Sequence, residues 1–258
     1  MLVYDAHGYL GNNPEFTKYG VPNPLGEYDW LKLMDKEGIT GALVAPPGAG
    51  AKDDFRPDME LIAKAIKNHP GRFYGYARVK PRKGKTATDE IRYWVQDRGF
   101  HAVKMNTMDD NYTLADRELI DPILETIQDL KIPVLIHTGD SHGETCSPSM
   151  VGDLASDFRD VTFIIGHMGY PGNENELLKV MIKSKNTVTE TASVFRRAVI
   201  QNILDGIGYD RVLMGSNEPY SPVGLAKSLF NEHMNSLTAK SRIAILGENF
   251  MRVLGVNK

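Results

Sequence analysis

Leu2-Val3-Tyr4-Asp5-Ala6-His7-Gly8-Tyr9 is a short apolar run that ends in a carboxylate, an imidazole and a phenol, and Leu10-Gly11-Asn12-Asn13-Pro14 then breaks it. Residues two apart in a strand share a face. The spacing therefore predicts that Asp5, His7 and Tyr9 project together from the exit of a first strand. Seven further β-rich runs follow, at Gly41–Ala45, Phe73–Val79, Ala102–Met105, Val134–His137, Val161–His167, Thr187–Thr191 and Val212–Gly215.

Helix-compatible segments separate these runs. Glu27–Gly38 stops at a glycine, and Asp58–Asn68 has Met59, Ile62, Ala63 and Ile66 at helical spacing. Thr88–Arg98, Asp121–Leu130 (with Pro122 in its first turn), Glu174–Lys183, Ser193–Leu204 and Thr238–Leu254 continue the pattern. Strict β–α alternation argues for parallel strands. Eight such units in 258 residues predict a single α/β domain over 1–258, a (β/α)8 TIM barrel. The longest connections, Leu10–Gly26 and Asp140–Gly152, follow strand ends and are expected to cover the mouth, as is the glycine-rich loop Ala45–Gly50.

Composition narrows the class. With 41% apolar and 24% charged residues the chain reads as an ordinary globular protein, and a net charge of −3 supplies no footprint for nucleic acid or an anionic membrane. No apolar run reaches the ~18–20 residues that span a bilayer, and no basic stretch precedes an apolar leader. The lone Cys146 leaves no intrachain disulfide, which fits a cytoplasmic protein. A dinucleotide fingerprint and a complete phosphate-loop motif are absent from the sequence.

The seven histidines divide by position. His69 falls in a turn, His233 on a polar helix, and His101 at the start of a strand, the structural end of a barrel. His7, His137 and His167 each close an apolar strand, and strand C-terminal ends form the catalytic mouth of this fold. One such histidine is usually a hydrogen-bonded core residue; three at matching positions outweigh that reading. Three convergent imidazoles suit a divalent metal, or a general base with a carbonyl-polarising partner. Near the other strand exits lie the cations Arg78, Lys104, Arg196 and Arg197, which would suit a carboxylate-bearing small molecule. Tyr9, Phe55, Tyr170, Phe195 and Tyr220 could wall the site.

Asp5-Ala6-His7, Val134–Gly139, Phe163–Gly169, Gly215-Ser216-Asn217-Glu218-Pro219 and the closing Ile245–Gly255 together resemble the amidohydrolase-related TIM-barrel family. The branch in question holds the aminocarboxymuconate semialdehyde decarboxylase-like enzymes and pyrone-dicarboxylate lactonase. The resemblance implies a hydrolase of a small amide, lactone or ester, with His7 and His137 as metal ligands and His167 as acid/base. Tyr9, Arg78, Lys104 and Arg196 would hold substrate, and Asn217 would stand at the catalytic strand-eight position. It also implies a divalent cofactor, zinc first among the candidates, and a homodimer or larger assembly. Two residues depart from the family pattern: Tyr9 replaces the second histidine of His-x-His, and Asn217 replaces the strand-eight aspartate. These departures leave open a decarboxylase or hydratase, a metal-free enzyme, and a binding barrel in which Asn217 marks natural or engineered loss of catalysis. Asp5, Asp140, His142, Glu144 and Glu218 are near enough in sequence to supply a substitute group.

Overall fold

β1 (Tyr4–Tyr9) pairs in parallel with β2 (Gly41–Ala45), and the order then runs without crossing through β3 (Phe73–Ala77), β4 (Ala102–Met105), β5 (Val134–Ile136), β6 (Phe163–Ile165), β7 (Thr187–Glu190) and β8 (Val212–Leu213). In this computed structural model the described residues are 1–48, 52, 54–139, 143–233 and 237–256, without the side chains of 143, 144 and 233. β8 returns to β1 through Ala6 N–H to Met214 O at 2.9 Å, Asn217 N–H to His7 O at 2.7 Å and Tyr9 N–H to Glu218 O at 2.9 Å. The expected (β/α)8 barrel is the fold. No helix among the described residues is long and apolar enough to cross a membrane.

The strands follow the predicted runs but several end earlier. β6 stops at Ile165 because Gly166–Gly169 turns tightly, with His167 and Met168 in the left-handed region at φ 57° and 54°. The helix expected from Ser193 starts at Arg197, since Ser193 also takes a left-handed backbone. The helix expected from Asp121 spans Arg117–Leu130, so Pro122 lies inside it rather than in its first turn. The connection after β5 holds an unexpected helix, Pro148–Asp157, capped by Ser147. Of the presumed mouth loops, residues 49, 50 and 140–142 lie outside the described residues.

β1 corrects one expectation. Between Asp5 and Gly8 its register against β2 gains a residue, a bulge that re-aims the side chains. His7 and Tyr9 stay together in the interior. Asp5 instead turns to the exit of β8, where its carboxyl accepts from Ser216 N (2.9 Å), Ser216 Oγ (2.5 Å) and His7 N (3.1 Å). Burial pushes that carboxyl up to about 7 against these hydrogen bonds. Its work is to close the barrel.

Gly8 sets how closely the first helix, Glu27–Glu37, approaches β1. A Cβ there would lie 2.6 Å from the ring of Trp30, which is wholly buried and donates from Nε1 to Tyr9 O at 2.7 Å. Gly8→Ala is expected to cost about 1–3 kcal/mol through overpacking, read as a lowered midpoint in urea unfolding. At the base of the barrel, burial pulls the His101 imidazole down to about 4. The folded state thus holds it neutral while the unfolded chain protonates it near 6.5, so this contribution to stability is lost as pH falls from 6.5 towards 4. Unfolding at pH 7 and pH 5 should show the wild type losing about 1–2 kcal/mol more than His101→Gln.

Candidate active site

β1 sends His7 and Tyr9 into the barrel's interior, β4 sends Lys104 and β7 sends Glu190, and Lys104, His7 and Glu190 form a line. Lys104 from β4 places Nζ 2.5 Å from His7 Nε2 and 2.6 Å from Tyr9 Oη. On the other side His7 Nδ1 lies 3.0 Å from Glu190 Oε1. A carboxylate only accepts, so His7 carries its hydrogen on Nδ1 and receives a hydrogen bond from Lys104 at Nε2. All four side chains are buried.

Glu190 also orders the exit of β6. Its Oε1 accepts from the backbone N–H of His167 at 2.7 Å, and Oε2 accepts from that of Ala192. His167 Nδ1 faces the Ala192 carbonyl at 2.9 Å, which fixes a hydrogen on Nδ1 and leaves Nε2 to accept. His137 Nδ1 donates to that nitrogen at 3.1 Å. The His7 and His167 ring centroids are 4.9 Å apart, and those of His137 and His167 4.5 Å. His137 is half-buried and His167 lies deeper.

The electrostatics follow from burial and neighbours. Burial, then the charge of Lys104, drives the His7 imidazole down to about 3, so it is neutral at pH 7. Burial alone would raise Glu190, but His7 and His167 together bring it down to about 2. Burial, reinforced by Arg78, pulls the Lys104 amine well below its usual range, and Asp109, Glu190 and Asp110 do not offset this. Burial holds Tyr9 well above a normal phenol, so it stays protonated and keeps a hydrogen to donate.

His7, Tyr9, Lys104, His137 and His167 are therefore brought into one cluster. The remaining candidates are engaged by other partners. Arg78 is fully buried, but Asp110 takes its Nε (3.2 Å), Asp109 its Nη2 (2.9 Å), and Phe55 lies 4.6 Å beneath its guanidinium. Although burial alone would depress it, those aspartates hold it above its usual range. Arg196 is exposed at the rim, 6.0 Å over the Tyr170 ring. Asn217 has a left-handed backbone (φ 76°) and donates from Nδ2 to Ser193 Oγ at 3.1 Å, while its Oδ1 is buried with no hydrogen-bond partner among the described residues. Glu218 accepts from Val223 N at 2.8 Å and caps the helix Val223–His233. Asp140 and His142 lie outside the described residues, as does the side chain of Glu144.

Glu190 is the site residue that the sequence reading passed over. It is the only acid in the Thr187–Thr191 run and ends its strand, the same plan that marked His7 and His137. Among the described residues His7, His167 and Glu190 offer donor atoms within 4.8 Å of one another, a set that by distance could hold a divalent metal. Their bonding opposes it: Lys104 covers His7 Nε2, both His167 nitrogens are engaged, and both Glu190 oxygens accept hydrogen bonds. With Lys104 in place these residues do not fit a metal ion.

A family model described as Amidohydrolase matches residues 22–256. No curated protein matches the sequence. Solved structures share the fold over nearly full length. A 2,6-dihydroxybenzoate decarboxylase from Rhizobium is 18% identical over 99% of both chains, with a TM-score of 0.72. A 5-carboxyvanillate decarboxylase from Novosphingobium aromaticivorans, complexed with manganese, is 16% identical over 99% of this chain and 96% of that one, at 0.76. A probable 2-pyrone-4,6-dicarboxylic acid hydrolase from Acinetobacter baumannii, with citric acid bound, is 16% identical over 99% and 100%, at 0.73.

Replacing Glu190 strips His7, His167 and Ala192 of a shared acceptor. Glu190→Gln should cost about 2–4 kcal/mol, because it turns an amide donor towards groups that themselves donate. Urea unfolding of the two proteins checks this.

Proposed function

The chain belongs to the amidohydrolase family, and from that premise we propose that it is an enzyme that adds water to the carbonyl carbon of a small, carboxylate-bearing lactone or ester. The observation that carries this reading is the hydrogen-bonded pair His137–His167, backed by the Ala192 carbonyl and set beside buried Lys104 and Tyr9.

The tautomers assign the roles. His167 keeps its hydrogen on Nδ1, His137 donates from Nδ1, and Nε2 of His137 is thus the basic nitrogen of the pair. It is placed to take a proton from water as the new C–O bond forms and to return it to the leaving oxygen. As the carbonyl oxygen gains charge, the Tyr9 hydroxyl and the Lys104 amine are the donors to receive it in a site shielded from bulk water. Arg78, committed to Asp109 and Asp110, leaves recognition of the substrate carboxylate to Arg196 at the rim.

The hydrolase among the structural neighbours is named for a pyrone dicarboxylic acid, a cyclic ester with two carboxylates, which agrees with this substrate class. A second reading, non-oxidative decarboxylation with His137 protonating the ring carbon, draws on the neighbours named as decarboxylases of carboxylated phenols.

One panel separates the two. Incubation with 2-pyrone-4,6-dicarboxylate should open the ring without release of carbon dioxide, followed by loss of the pyrone absorbance. His137→Ala should lower kcat by about 10²–10⁴-fold, the range for a lost general base, with the fold intact by circular dichroism. Carbon dioxide from 2,6-dihydroxybenzoate or 5-carboxyvanillate, with the lactone untouched, would replace hydrolysis by decarboxylation.

A further inference from the structure

Among His7, His167 and Glu190, the three side chains whose donor atoms lie close enough to share an ion, His7 can offer a lone pair only from Nε2, because Nδ1 gives its hydrogen to Glu190. That lone pair points at Lys104 Nζ, 2.5 Å away. The same nitrogen is 2.6 Å from Tyr9 Oη, the side chain two residues further along β1. An ion held by a histidine nitrogen and a second strand-one ligand would lie about 2 Å from each, within the volume that Nζ fills. We propose that the Lys104 amino group takes the coordination point of a divalent ion, so that this barrel carries a lysine nitrogen where a metal would otherwise sit.

Three further observations agree. Lys104 is 1% exposed, and the residues flanking it, Val103 and Met105, are paired to β5, so its backbone is fixed within the sheet. Its nitrogen lies 4.0 Å from the Tyr9 ring centroid, a second contact that holds it over strand one. The charge balance also disfavours an ion. Glu190 is the one carboxylate among the candidate donors, it is already shared by three hydrogen-bond donors, and Asn217 adds no negative charge at the exit of β8. The two departures in the sequence, Tyr9 and Asn217, thus belong with Lys104 as one change of site. This inference concerns the floor of the barrel and holds whichever reaction the site performs.

The test is metal binding, not turnover. The full chain, purified without chelator and then titrated with Mn²⁺ and with Zn²⁺, should show no ion bound at His7: elemental analysis and calorimetry should be the same for wild type and His7→Ala. Lys104→Ala, and Lys104→Ser as a second small replacement, should each gain one ion per chain, and the gain should vanish in Lys104→Ala/His7→Ala. A wild-type protein that holds one ion per chain and releases it on His7→Ala would overturn the proposal. So would folded Lys104→Ala and Lys104→Ser proteins that bind no ion. If neither variant folds, the wild-type comparison with His7→Ala decides alone.

Discussion

The line Lys104–His7–Glu190 joins three strands of the barrel, and the rest of the site takes its geometry from it. Each of these groups is fully buried, and removing an ion from water costs several kcal/mol unless hydrogen bonds replace the lost hydration. Glu190 meets that condition with three donors, the His7 ring and the amides of His167 and Ala192. Those bonds fix the His7 tautomer and hold the backbone turn that presents His167. His167 in turn orients His137. A buried carboxylate thereby orders the histidine pair at the mouth.

The backbone around these residues is constrained in the same places. His167, Met168, Ser193 and Asn217 all adopt the left-handed region, at the exits of β6, β7 and β8. For residues other than glycine this costs about 1–2 kcal/mol each, and such strain persists only where the surroundings over-determine it. Here the closed ring of strands does so. The Asn217 N–H is tied to His7 O, and His167 N–H to Glu190, so neither turn can relax without breaking a buried hydrogen bond.

Much of the fold was readable in the chain because βα periodicity is a local property. Eight apolar runs at the spacing of one unit each, with amphipathic segments between them, leave few architectures other than a closed barrel. The same logic placed His7, His137 and His167 at strand exits. It did not reveal how side chains turn once there. The bulge in β1 sends Asp5 to Ser216, although strand alternation alone puts it beside His7 and Tyr9. Arg78 looked free to bind a carboxylate, yet Asp109 and Asp110, on the following βα unit, pair with its Nη2 and Nε. Ionic partners some thirty residues away carry no local signature.

The sequence by itself determined the barrel, the three histidines at its mouth and the two substitutions, Tyr9 and Asn217, because strand period and strand ends are written in short stretches of chain. Only the tertiary structure decided what those substitutions accompany. Lys104 and Glu190 come from strands 97 and 183 residues away from His7 in the chain, and they meet it only when the sheet closes on itself. The identity of the group on His7 Nε2, a lysine nitrogen, is a property of that closure, since distance across a barrel depends on all eight strands at once.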